Sequence, residues 1–159
     1  MGMREMILVL GAIYFFSMTS LSINRFCVSN TETLIQNEFE YQAVSIAQRL
    51  IEEVKTRQFD ADLSFPPSSF DSPYSMGHSN IESYPNFNDV DDYNNLNVNI
   101  NTALGAFNVT VQVCYVAEND PDTRVYVKTF YKRMTVTVNN NYMSHPITLK
   151  HVFAYYEFS

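Results

Sequence analysis

Hydrophobic and polar positions divide this chain into three zones. Residues 6–23 (MILVLGAIYFFSMTSLSI) carry no charge, with Glu5 at their start. Beyond them Val28, Ile35, Phe39, Ala43, Ile46, Leu50 and Val54 recur at steps of three, four and seven, and Leu34, Ala47 and Ile51 widen the stripe. That spacing predicts one face of a helix. Glu32, Glu38, Glu40, Arg49, Glu52, Glu53, Lys55 and Arg57 fall on the other faces. Glu53 and Arg57 are spaced for an i,i+4 pair, and Lys55 and Arg57 suit the negative end of the helix dipole. The expectation is a helix over 1–57, hydrophobic over 1–24 and amphipathic over 25–57, about 85 Å long if unbroken. Ser29 and Glu32 form a candidate capping box, which would place a break near Ser29. Ser17, Thr19, Ser20 and Ser22 can bond back to the backbone and bend the apolar half.

The second zone, 58–95, holds Pro66, Pro67, Pro73 and Pro85 among many Ser, Asn and Asp. It reads as a long irregular connection with at most short helical or extended pieces. The third zone, 96–159, carries strand signals. Phe107, Val109, Val111, Val113 and Tyr115 alternate with Asn108, Thr110, Gln112 and Cys114, which predicts a strand over 107–117. Residues 118–122 read as a turn, 124–138 as a second strand and 147–158 as a third. Asn139, Asn140, Asn141, His145 and Pro146 mark the turn between the last two, and 96–100 adds a short edge strand. The fold class is therefore α+β, a long N-terminal helix packed on a three- to four-stranded antiparallel sheet, with residues 58–159 as a globular head.

Eighteen uncharged residues reach the lower limit for a membrane-spanning helix. A secretory signal peptide is the competing reading, with Arg4 before the apolar run and Ser20, Leu21 and Ser22 as a cleavage site. Charge is unevenly spread. Residues 58–159 hold eleven acidic and five basic side chains, whereas 1–57 hold six and five. An acidic head without a basic patch argues against nucleic acid as a partner.

Candidate chemistry is sparse. No G-x-S-x-G and no glycine-rich phosphate loop occurs, and His78, His145 and His151 show no metal-ligand spacing. An enzyme is not expected. Asn86, Asn88, Asp89, Asp91, Asp92, Asn94 and Asn95 cluster in one loop. Alternating carboxylates and amides suit calcium, with Asp89, Asp91, Asp92 and Asn94 as candidate ligands, and a solvated Asn/Asp turn is the alternative. Asn108 and Thr110 frame a glycosylation sequon. Tyr14, Phe15, Phe16, Phe26, Phe39 and Tyr41 are read as core or interface filling.

The first 57 residues resemble a type IV pilin or a type II secretion pseudopilin: an apolar helix half, a glutamate at the fifth position of Met1-Gly2-Met3-Arg4-Glu5, and an amphipathic half. The resemblance implies a structural subunit of an extracellular pilus-like filament. Its partners would be further copies of itself and, before polymerisation, an inner-membrane assembly machinery acting on a membrane-inserted precursor. Glu5 would neutralise the terminal amine at Met1 of a neighbouring subunit, since an unpaired charge in an apolar core is costly. Ile7, Leu8, Leu10, Ile13, Tyr14, Phe15, Phe16 and Leu21 would form the filament core. Some pseudopilins bind calcium in a loop before or within the sheet. A minor pseudopilin and a monomeric membrane-anchored or secreted binding domain are the alternatives. Packing of helix on sheet could join Cys27 to Cys114 in an exported protein, but Cys114 shares the alternation phase of Asn108 and Gln112, which favours two independent thiols.

Overall fold

A computed structural model describes residues 2–78 and 83–156. One helix, α1 (Met3–Val54), is followed by a 3-10 turn (Asp91–Tyr93) and five strands: β1 (Asn97–Thr102), β2 (Gly105–Ala117), β3 (Asp120–Arg124), β4 (Tyr131–Asn139) and β5 (Ile147–Ala154). The layout is α+β, with the helix packed on an antiparallel sheet. The chain divides into two compact units, Met1–Glu38 and Phe39–Ser159.

The first unit is helical throughout its described length, with no break at Ser29. Five of its hydroxyls, those of Ser17, Thr19, Ser22, Thr31 and Thr33, donate to backbone carbonyls one turn back. Ser17 donates to the Ile13 carbonyl at 2.8 Å, Thr19 to Phe16 at 2.9 Å and Ser22 to Met18 at 2.9 Å, with the helix intact across all three.

In the second unit, Phe39, Ala43, Ile46, Ala47, Leu50, Ile51 and Val54 are buried, the later part of the expected stripe. Val28, Leu34 and Ile35 belong to the first unit and are exposed. The helix ends at Val54, so Lys55 and Arg57 lie past its last turn. The expected Glu53–Arg57 pair is replaced by Lys55–Glu52 at 2.5 Å. Glu53 instead accepts the Tyr93 hydroxyl at 2.8 Å, because Tyr93 is buried beneath the helix end and needs an acceptor.

Four strands run in the order β1-β2-β4-β5, and β3 pairs with the end of β2. Gly105 opens β2 at φ +117°, a backbone angle suited to glycine at the β1–β2 turn. The expected phase holds along β2: Phe107, Val109, Val111, Val113 and Tyr115 face the core. The expected second strand, 124–138, is in fact two pieces. Residues 118–122, read as a turn because Pro121 lies among Glu118, Asn119, Asp120 and Asp122, overlap the exposed strand β3, and regular pairing resumes only at Tyr131. The third strand stops at Ala154, and residues 157–158 of its expected span lie outside the described residues.

The irregular connection is no loose surface loop. Phe59, Phe70, Met76, Phe87, Val90 and Tyr93 join the same core as helix and sheet. Every residue of that buried core lies at Phe39 or later. A chain starting at Asn37, which can cap the helix with Glu40 three residues on, is therefore expected to fold alone. Urea unfolding followed by circular dichroism should show a cooperative transition within about 1 kcal/mol of the full chain, the size of a capping contribution.

Candidate functional site

Two features stand out, one in each unit. The first is the apolar part of α1. Ile7, Leu8, Leu10, Ile13, Tyr14, Phe15, Phe16 and Leu21 are each 55–74% exposed, and they occupy every face of the helix rather than one stripe. Among the described residues, α1 is the one helix long and apolar enough to cross a membrane, by length and composition. Glu5 sits in the first turn, where its Oε2 accepts the Gly2 N–H at 3.0 Å and its charge complements the positive end of the helix. Met1 lies outside the described residues.

The second feature is a buried charge cluster. β4 alternates, and its inward phase is Lys132, Met134, Val136 and Val138. Three apolar residues on that face are ordinary, but a lysine there must satisfy three N–H donors out of reach of water. Lys132 Nζ donates to the Phe59 carbonyl at 2.7 Å, Asp60 Oδ2 at 2.8 Å and Asp91 Oδ1 at 2.5 Å. Its ammonium lies 4.6 Å from the Phe59 ring centroid and 5.5 Å from that of Tyr115, the cross-strand neighbour of Lys132 on β2. Cation–π attraction adds to the ion pairs in such a setting.

The carboxylates outnumber the lysine. Asp60 Oδ2 also accepts the Asp71 N–H at 3.0 Å. Burial pushes the Asp91 carboxyl up to about 6 despite the opposing pull of Lys132, and Asp89 adds to the rise. Asp71 is likewise raised to about 6, first by partial burial and then by the hydrogen bond between its carboxyl and that of Asp91. Burial and the neighbouring Asp92 raise Asp89. With these carboxyl groups gathered around one ammonium, Asp71 and Asp91 take up a proton between them as pH falls through about 6.

This cluster takes in two of the four residues singled out for calcium, and the four do not converge. Asp91 turns to Lys132. Asp89 Oδ1 accepts the N–H groups of Asp91 and Asp92 at 3.0 and 3.1 Å, holding the 3-10 turn. Asp92 Oδ2 accepts the Asn88 N–H at 3.0 Å. Asn94 bridges to the sheet, donating to the Met76 carbonyl and accepting the Val113 N–H at 2.9 Å. Their oxygens here serve backbone N–H groups and an ammonium. Among the described residues no group of three or more His, Cys, Asp or Glu side chains is placed to hold a metal ion. The positive charge that ties this loop to the sheet is carried by Lys132.

Both cysteines are free thiols, Cys27 exposed and Cys114 buried, with Arg133 Nη2 at 3.5 Å from the Cys114 sulfur. Asn108, the sequon residue, donates from its side chain to the Asn97 and Asn99 amides across β1 at 2.8 and 3.1 Å.

Sequence reasoning missed Lys132, Asp60 and Asp71. Lys132 had a local signal, its phase with Met134, Val136 and Val138. The two aspartates had none, for they reach the site through long irregular segments. No family model matches this chain, and neither a characterised relative nor a solved structure is detectably similar to it.

Proposed function

We propose that the chain is a structural subunit of a pilus-like extracellular filament, held in a membrane by its apolar helix before assembly and bundled through the same helix afterwards. The observation that carries this reading is the all-round exposure of apolar side chains over residues 6–23. A soluble monomer rarely presents so much contiguous apolar surface. A helix apolar on every face suits lipid or a bundle of like helices. Back-bonded Ser17, Thr19 and Ser22 leave few hydroxyl donors for water, which suits both settings. The acidic head, with no nucleic-acid patch, forms the sheath. No catalytic role is assigned.

Electron cryo-microscopy of fibres sheared from producing cells, with mass spectrometry of the subunit N-terminus, tests this. Fibres whose subunits retain residues 6–23 in a central helical bundle are the expected result. A fibre-free preparation in which the secreted chain begins near Ile23 would overturn it, because the apolar segment would then be a cleaved signal.

A further inference from the structure

We propose that Lys132 and Asp91 become joined by an intramolecular amide bond that the folded chain makes by itself. The inference rests on the geometry of the buried cluster and is independent of the filament reading. Amide formation between two side chains needs an amine against a carboxyl carbon, a base for the ammonium proton, a proton relay for the departing oxygen, and the exclusion of water. Lys132 Nζ lies 2.5 Å from Asp91 Oδ1, and the two side chains are 0% and 1% exposed. Phe59, Phe70 and Tyr115 wall the ammonium with ring centroids at 4.6, 6.0 and 5.5 Å.

The remaining groups fall into roles. Asp60 Oδ2, 2.8 Å from Nζ, is placed to take the ammonium proton. Its oxygens also accept the N–H groups of Asp71 and Asp62, contacts a carboxylate makes and a reacting carboxyl group would lose. Asp91 has the character of the electrophile: it is buried, raised toward its neutral form, and hydrogen-bonded to a second carboxyl, that of Asp71. The Tyr115 hydroxyl donates to the Asp71 carbonyl at 2.9 Å and so fixes the backbone that carries this group.

The step balances without an oxidant, reductant or co-reactant. The Lys132 ammonium gives one proton to Asp60, and the neutral amine adds to Cγ of protonated Asp91, forming the C–N bond. Asp71 relays a second proton from the nitrogen to the Asp91 hydroxyl oxygen. The C–O bond breaks, and one water leaves. The product is a secondary amide beside a protonated Asp60, with the total charge unchanged. A buried ion pair is exchanged for a neutral amide, which relieves the desolvation cost of both charges.

Mass spectrometry of the full chain, purified in detergent and denatured, decides the matter. Trypsin is expected to leave residues 58–124 covalently attached to residues 129–133, lighter than the two peptides together by one water and uncut after Lys132. Fragmentation should place the branch at Asp91. Asp91→Ala should restore the separate peptides, and Asp71→Ala, at an exposed position, should leave most of the chain unlinked. Separate wild-type peptides with normal cleavage after Lys132 would overturn the proposal. So would a branch at Asp60, which would reverse the assigned roles. The wild-type measurement does not depend on any variant folding.

Discussion

In the chain whose Lys132 and Asp91 are not joined, replacing Lys132 by methionine is expected to cost about 3–5 kcal/mol of folding stability at pH 7 from the lost ion pairs. The two side chains have similar length, so little is lost in packing. What changes is charge: Asp60 and Asp91 remain buried with no cation against them. Removing one partner of a buried pair leaves the whole desolvation cost of the other in place. Against wild-type chain in which Lys132 and Asp91 are not joined, urea denaturation should show a lower midpoint with an unchanged slope, since the surface exposed on unfolding is then the same.

Acidification should shrink the deficit. The Asp91 and Asp71 carboxyls are raised to about 6 in the folded chain against 3.8 in the ordinary case. Between those values the folded state binds more protons than the unfolded one, so its stability rises as pH falls and is lost as pH rises through about 6. In Lys132→Met the lysine no longer holds these groups down, and the dependence should steepen. A variant that also carries Asp60→Asn and Asp91→Asn should recover part of the loss at pH 7, because no unpaired charge remains at either position. A Lys132→Met chain as stable as the unlinked wild-type chain at pH 7 would mean that the cluster contributes nothing net.

The same cluster marks where sequence reading stops. The helix was legible because a 3.6-residue period is a local property, visible from Phe39 to Val54 without knowledge of a partner. β2 was legible for the same reason, its five inward residues alternating without interruption. β3 was not, because Pro121 and its acidic neighbours carry turn chemistry, and only pairing with the end of β2 makes an extended strand of them. The helix end was placed three residues late, because charge suited to a C-terminus says little about where buried contacts stop.

The loop cluster taught a different lesson. Alternating Asp and Asn announced a need for positive charge, and the sequence could not say what would meet it. Lys132 lies 41 residues from Asp91 and 72 from Asp60 along the chain. Such pairings are set by how the connection folds over the sheet, and no local pattern records them. The inward phase of Lys132 on β4 was the one clue, and a lysine on an apolar phase is a prompt to look for buried carboxylates.

In the proposed filament, Glu5→Ala is expected to leave the chain in the membrane and to abolish fibres. The carboxylate does two things, and they can be separated. Within one chain it accepts the Gly2 N–H and sits at the positive end of the helix, an effect of about 1 kcal/mol or less at an exposed site. That is too little to prevent insertion of eighteen uncharged residues. Between chains it would pair with a positive group of a neighbour, the terminal amine in this reading, inside an apolar bundle. Breaking such a pair costs about 3–5 kcal/mol per contact, which lowers subunit addition roughly a hundred- to several-thousand-fold. Glu5→Gln separates the two effects: glutamine still accepts the Gly2 N–H but brings no charge. If charge pairing drives assembly, Glu5→Gln fails as completely as Glu5→Ala in a fibre count by electron microscopy, with both proteins recovered in the membrane fraction. Fibres from Glu5→Gln at wild-type levels would reduce the role of Glu5 to capping its own helix.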